Sequence, residues 1–193
     1  AKKGHVIVMD PKNGDILAMA SYPQFNGNEW KNSSGSERKN IAIQDIFEPG
    51  SVFKVFTLAA VLEEELVSPK TTLYVPETLT LYNRTIKEAH RRDKDDPDTV
   101  SVSEIIQKSL NVGTSLLAQK LGEEKFYQYI SEFGFGKRTG IELPGEAKGI
   151  LRPLKRWSGV DIAMISFGQG VAVTSLQLTA AVAAIANDGV YVK

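Results

Sequence analysis

The sequence predicts an α+β domain. Three observations point there: a run of paired β-type residues at the start, a succession of helical segments behind it, and a length of 193 residues, which suits about one domain with a sizeable core. The opening stretch HVIVMDPKNGDILAMAS holds Val6 and Val8 alternating with Ile7 and Met9. A turn rich in Pro, Asn and Gly follows, then Ile16-Leu17-Ala18-Met19. This reads as a β-hairpin, apolar enough to be covered on both faces.

From Pro23 to Lys39 the chain is polar and reads as a surface loop. Ser51 to Leu66 is apolar on all sides and predicts a buried helix. Residues 67 to 100 carry few periodic signals, and His90 to Asp98 is a dense charge run with a proline, read as a solvated loop without calcium-loop spacing. Val102 to Leu110 and Gly113 to Leu121 read as two helices with a break between them. Glu123 to Phe133 is a further helix ended by Gly134, and FGFGKRTGIELPGE is glycine-punctuated loop. Leu176 to Ala186 is an alanine-rich helix ended by Asn187-Asp188-Gly189. The chain enters a strand almost at once and stops as VYVK begins another, so it reads as a piece cut from a longer protein.

Composition narrows the function classes. Apolar residues make up 42% and charged residues 24%, with zero net charge, so nothing points to nucleic acid or to an anionic membrane. There is no cysteine, hence no disulfide, thiolate metal site or Cys nucleophile. The least polar long run, Val171 to Ala186, is interrupted by Thr174, Ser175, Gln177 and Thr179 and falls short of the ~20 residues of a membrane span. No stretch of these residues reads as a signal peptide.

One residue stands out in FEPGSVFKVFTLAAVLEE: between Ser51 and Leu62 the only charge is Lys54. On a helix Ser51, Lys54 and Thr57 form one stripe. A lysine in dry surroundings loses pKa. When neutral it can take a proton, and a serine one turn away can give one, which makes a Ser-Lys nucleophile pair. Pro49-Gly50 put Ser51 at a helix N-terminus, where exposed N–H groups favour developing negative charge. The plain alternative is a lysine that snorkels to the surface with its stem in the core. About one Ser-x-x-Lys match is expected by chance, and a second one, Ser36 to Lys39, lies in the polar loop and carries no role.

Ser109-Leu110-Asn111 falls at the break between two helices. A hydroxyl there can relay a proton, and a carboxamide can grip a substrate amide. Both residues also cap helices, and Asn111 before Val112-Gly113 fits a cap.

Together these residues resemble a known family. EPGSVFK followed by SLN is similar to the penicillin-binding protein transpeptidases, relatives of the serine β-lactamases. MDPKNGDILAMAS resembles the strand pair that opens the domain in high-molecular-mass members, and FGFGKRTGIELPGE with ISFGQGVAVTSLQL resembles later segments. EPGS and SLNVGTS are most similar to class B members of the cell-division type, and the likeness covers nearly the whole chain.

The resemblance implies an antiparallel sheet flanked by helices, with a helical subdomain carrying the SLN turn. It implies a peptidoglycan D,D-transpeptidase in which Ser51 attacks the carbonyl between two terminal D-alanines of a stem peptide. Lys54 is its base, Ser109 shuttles the proton and Asn111 holds the substrate amide. β-Lactams would acylate the same serine, and no metal or organic cofactor is implied. The expected location is the outer face of the bacterial cytoplasmic membrane, held by an upstream anchor and accompanied by membrane proteins of the division or elongation complex. Nucleic acid is not an expected partner.

One departure is important. The family's third motif, Lys-Thr/Ser-Gly, is absent; Lys137-Arg138-Thr139-Gly140 has one residue too many and reads as structural. Residues 1–193 are therefore expected to be an incomplete transpeptidase domain, lacking the C-terminal strands, with apolar surface left open and no competence of its own. Two rivals use the same residues differently: a serine β-lactamase or β-lactam sensor, and a non-catalytic scaffold domain. Gly168-Gln169-Gly170 reads as a tight turn, and Trp30 and Trp157 as packing or surface aromatics. His5 and His90 have no triad spacing.

Overall fold

A computed structural model describes residues 3–89 and 97–192. Its strands are β1 (Gly4–Met9), β2 (Ile16–Tyr22), β3 (Thr72–Tyr74), β4 (Thr78–Leu81), β5 (Arg84–Lys87) and β6 (Thr99–Ser101). Its α-helices are α1 (Ile41–Gln44), α2 (Lys54–Glu63), α3 (Val102–Gln107), α4 (Asn111–Leu121), α5 (Glu123–Glu132), α6 (Asp161–Ser166) and α7 (Ser175–Ala186). The chain divides into two compact units, one of residues 1–47, 133–150 and 172–193, the other of residues 48–132 and 151–171. Most of the charged run from His90 lies outside the described residues.

The first unit is built on the expected hairpin. β1 and β2 pair antiparallel, from Gly4 opposite Tyr22 to Met9 opposite Ile16, with an irregularity between Val8 and Met9. The turn closes through Asp10, whose carbonyl accepts from Gly14 N (2.9 Å) and whose carboxylate accepts from Lys12 N (2.8 Å). Side chains alternate across a strand. Ile7, Met9, Ile16 and Met19 pack against Ala42 and Ile43 of α1 and Leu176 of α7. Val6, Val8, Leu17 and Tyr22 are exposed, at 61%, 45%, 65% and 61%. The hairpin is thus covered on one face only, because the described residues supply a single helical layer to it. Val190 to Val192, expected to start a strand, pair with no other strand among the described residues; a strand exists through its ladder.

α7 opens on a capping box of Thr174 and Gln177. The buried Gln177 amide also donates to the carbonyls of Lys137 (2.5 Å), inside the glycine-punctuated loop, and Lys148 (2.9 Å), just past its end. Within that loop Glu146 accepts from Thr139 N (2.6 Å), Thr139 Oγ1 (2.7 Å) and Gly140 N (3.2 Å). The Lys137-to-Gly140 segment is a structural loop, as its sequence suggested.

The second unit is mainly helical. α2 packs against α3, α4 and α5, and α4 against α6. Phe53, Phe56, Leu117, Phe126, Ile130 and Ile165 are fully buried there, each contributing about 2–3 kcal/mol by leaving water. Two small sheets join the helices: β3 pairs with β6 and β4 with β5, both antiparallel. The sequence reading found no strands between 67 and 100. Strands of three or four residues are too short to show a period of two, which is why they were missed. The short helix α6 was missed for the same reason of length. The helix expected from Ser51 begins instead as a 3₁₀ turn, Gly50–Phe53, and becomes α-helical at Lys54.

The open face of the hairpin generates a prediction. An apolar strand surface without cover favours association. The 193-residue chain in isolation is expected to sediment as oligomers, and Val6→Thr combined with Val8→Lys to shift it toward monomer. A monodisperse wild-type monomer in analytical ultracentrifugation would count against this account.

Candidate functional site

Four residues singled out by sequence lie in the second unit: Ser51, Lys54, Ser109 and Asn111. Ser51 sits in the 3₁₀ turn that opens α2, with its side chain exposed. Gly50 takes φ +59° there, and its N–H donates to Gly168 O (3.1 Å). No side chain caps this turn: its N-cap is Pro49, and that of α2 is Phe53.

The tight turn at Gly168 supports this approach from the other side. Gly168 has φ +81°, and a Cβ placed on it would lie 2.2 Å from Gly50 O. Only glycine satisfies both the left-handed backbone and the close contact. Gly170 N donates to the Glu48 carboxylate (2.8 Å), so the turn is tied to the chain on the N-terminal side of Ser51 as well.

Lys54 is fully buried. Its Nζ donates to Ser109 O in a short hydrogen bond and to Ser109 Oγ at 3.0 Å. Burial pushes its pKa down from 10.5 to about 8, opposed by the negative charge of Glu88. The lysine does not snorkel. Thr57, next on the stripe, is also buried and donates to Ser166 O (2.8 Å), so its hydroxyl ties α2 to α6. Ser51 Oγ makes no hydrogen bond to Lys54 or to Ser109 among the described residues.

Ser109 links α3 to α4 and has φ +54°. A non-glycine residue in that region costs about 1–2 kcal/mol. The two hydrogen bonds from Lys54 go to this residue and hold it there. α4 then begins at Asn111, with Leu110 as its N-cap and no side-chain cap from that residue. Asn111 is therefore the first residue of the helix and not its cap. Its Nδ2 donates to Lys87 O (2.9 Å), leaving the side-chain carbonyl without a partner among the described residues.

Sequence reasoning missed Glu88. Its carboxylate accepts from Asn111 N in a short hydrogen bond and from Val112 N at 3.0 Å. It thereby supplies from 23 positions away the cap that α4 lacks locally. An acidic residue just before a charge-dense stretch gave no signal of this.

Other polar groups have local partners. His5 Nε2 lies 2.5 Å from Ser175 Oγ in the first unit. Asp161 is held by Arg152 and by Ser158 N (2.6 Å) and Oγ (2.8 Å) in the second. Trp157 packs edge-on to Phe126 and Tyr127, whereas Trp30 is 52% exposed beneath Arg38. No helix among the described residues is long and apolar enough to cross a membrane.

Known proteins share this arrangement of sequence and fold. The family model described as "Penicillin binding protein transpeptidase domain" matches residues 4–193. The chain is 40% identical over 187 residues to penicillin-binding protein PbpB of Mycobacterium tuberculosis, covering 96% of this chain and 27% of that protein. It is 38% identical over 190 residues to "Probable peptidoglycan D,D-transpeptidase PenA" of Neisseria gonorrhoeae, covering 98% of this chain and 32% of that one. Among solved structures, penicillin-binding protein 3 from M. tuberculosis complexed with aztreonam superposes with a TM-score of 0.90 at 37% identity, covering 98% of this chain and 42% of that one. The chain thus spans about a third of these curated relatives' length, and its fold is theirs.

The Gly168 contact is testable. Gly168→Ala forces a Cβ onto the Gly50 backbone at a left-handed φ and should lower unfolding free energy by more than about 1 kcal/mol. Gly27→Ala, with no atom within 4 Å of its Cβ position, should stay within about 0.5 kcal/mol of wild type. Equal urea midpoints for wild type and Gly168→Ala would refute the contact.

Proposed function

Since the chain belongs to the penicillin-binding protein transpeptidase family, we propose that it forms part of a peptidoglycan D,D-transpeptidase working through a serine acyl-enzyme. The observation that carries this reading is the fully buried Lys54, with Nζ on the Ser109 hydroxyl and its pKa lowered to about 8. A lysine of that kind is neutral for a useful fraction of the time at pH 7–8 and can act as a base.

Ser51 Oγ attacks the carbonyl carbon between the two terminal D-alanines of a stem peptide, and its proton passes to the neutral amine of Lys54. The developing oxyanion lies at the start of the Gly50–Phe53 turn, which no side chain caps. As the tetrahedral intermediate collapses, the C–N bond breaks and the proton moves from Lys54 through Ser109 Oγ to the leaving D-alanine nitrogen. An amine of a neighbouring strand then attacks the ester, gives up its proton by the reverse route and releases Ser51. The unpartnered carbonyl of Asn111 accepts from a substrate N–H.

β-Lactams acylate the same serine in this reading. The 193 residues form part of the domain, and a Lys-Thr/Ser-Gly strand elsewhere in the parent protein completes it. Peptidoglycan as substrate puts the domain on the outer face of the cytoplasmic membrane, beside the membrane proteins of division or elongation.

The test is labelling of the full-length protein with a fluorescent penicillin, followed by peptide mass spectrometry. A stable adduct on Ser51, lost in Ser51→Ala, is expected. Rapid turnover of the adduct would make the protein a hydrolase, and no adduct on any serine would leave a scaffold. Lys54→Met should slow acylation by about 10²–10⁴-fold.

The pH dependence has a definite sign. Lys54 is active when deprotonated, so the wild-type acylation rate should rise with pH and level off above about 8. A rate that is flat from pH 6 to 9 would exclude Lys54 as the base.

A further inference from the structure

Glu88 has no part in the steps above, yet its carboxylate and the Lys54 ammonium grip the same short segment. Lys54 Nζ holds Ser109 through its carbonyl and its hydroxyl. Glu88 holds Asn111 and Val112 through their N–H groups. The carbonyl of the adjacent Lys87 fixes the Asn111 side chain (2.9 Å), so one strand end sets both the backbone and the carboxamide of that residue. The segment between the two grips includes a serine held at φ +54°.

A carboxylate with two backbone donors at the head of an eleven-residue helix is well placed to stabilise that helix. Helix capping alone does not explain why a buried lysine holds the residue just before that helix start. Charged groups also occur on the elements packed against α2: Glu104 on α3, Lys120 on α4, and Glu123, Glu124, Lys125 and Glu132 on α5. Glu104 is engaged in the capping box of α3 and Lys125 with Glu64. Burial lowers the Lys54 pKa, and the negative charge of Glu88 opposes that shift.

We propose that Glu88 is a positioning residue for acylation: it clamps the first turn of α4, and with it Ser109 and Asn111, and serves as the counter-charge to the Lys54 ammonium. This rests on the acyl-enzyme reading given above. The carboxylate keeps Ser109 Oγ within proton-transfer distance of Nζ and the Asn111 carbonyl directed to substrate. Its charge also sets how readily Lys54 gives up a proton, so removing it favours the neutral amine at lower pH.

The test measures the acylation rate of the full-length protein with fluorescent penicillin from pH 5.5 to 9 in wild type, E88Q and E88A, alongside thermal melting. E88Q keeps the shape and one acceptor and loses the charge. Its half-maximal pH is expected to fall by about one unit, with labelling still on Ser51. E88A loses the clamp, and its plateau rate is expected to drop about ten- to a hundred-fold. Variants that melt lower but keep the wild-type half-maximal pH and plateau would overturn the proposal and leave Glu88 a helix cap only. If E88A does not fold, the E88Q profile decides. A wild type unlabelled at Ser51 sinks the acyl-enzyme reading and this proposal with it, whereas a labelled wild type with an unmoved E88Q profile sinks this proposal alone.

Discussion

The second unit depends on one interaction, the hydrogen bonding of a fully buried lysine amine to Ser109. Withdrawing an ammonium from water costs several kcal/mol even after relaxation. The chain offsets that cost with two acceptors on a single residue and a carboxylate nearby. Both acceptors can reach Nζ because Ser109 adopts a left-handed backbone. The strain at Ser109 and the burial of Lys54 therefore support each other, and neither would persist alone. The break between α3 and α4 is the consequence, since a residue with positive φ cannot continue a right-handed helix.

Helix ends carry the same logic further. A helix leaves its first N–H groups without partners. In α7 and α3 the neighbouring side chains satisfy them through capping boxes. The two helices that bear the site residues are different: neither Pro49 before the 3₁₀ turn nor Leu110 before α4 offers a capping side chain. At α4 a distant carboxylate fills the role, which ties a strand end to the helix start. At Ser51 no side chain caps the turn, whose first N–H, that of Gly50, donates to Gly168 O, and the serine beside it is exposed.

Much of this was legible in the sequence, and the exceptions have physical causes. Alternating apolar residues around a Pro-Asn-Gly turn specified β1 and β2, and a single charge in an apolar run specified Lys54. The break at Ser109 to Asn111 was visible because helical periodicity stops there. What escaped were interactions between positions far apart in the chain. Glu88 belongs to no local pattern, and its link to Asn111 depends on where β5 ends. Strands of three or four residues and a six-residue helix are shorter than any window in which a period can be counted. The outer face of the hairpin misled for a related reason: residue types say that a surface is suited to burial, not which segment buries it.

The stripe of Ser51, Lys54 and Thr57 shows where pattern reading stops. All three occupy one side of the helix start, and spacing alone gives them equal standing. Thr57 spends its hydroxyl on Ser166 O and is structural. Lys54 is held by Ser109, whose hydroxyl retains a proton to give, so the contact passes through an atom able to exchange protons. Ser51 Oγ has no hydrogen-bond partner among the described residues, and Ser51 is exposed. The polar line thus grades from a fixed bond deep in the helix, through a buried amine held on a hydroxyl, to an exposed serine at its tip. That gradient follows from depth: the further along α2 a hydroxyl or amine lies, the more completely neighbouring backbone must satisfy it. Only at the first turn can a side chain remain unpaired without a desolvation cost, and a substrate carbonyl could reach the chain there.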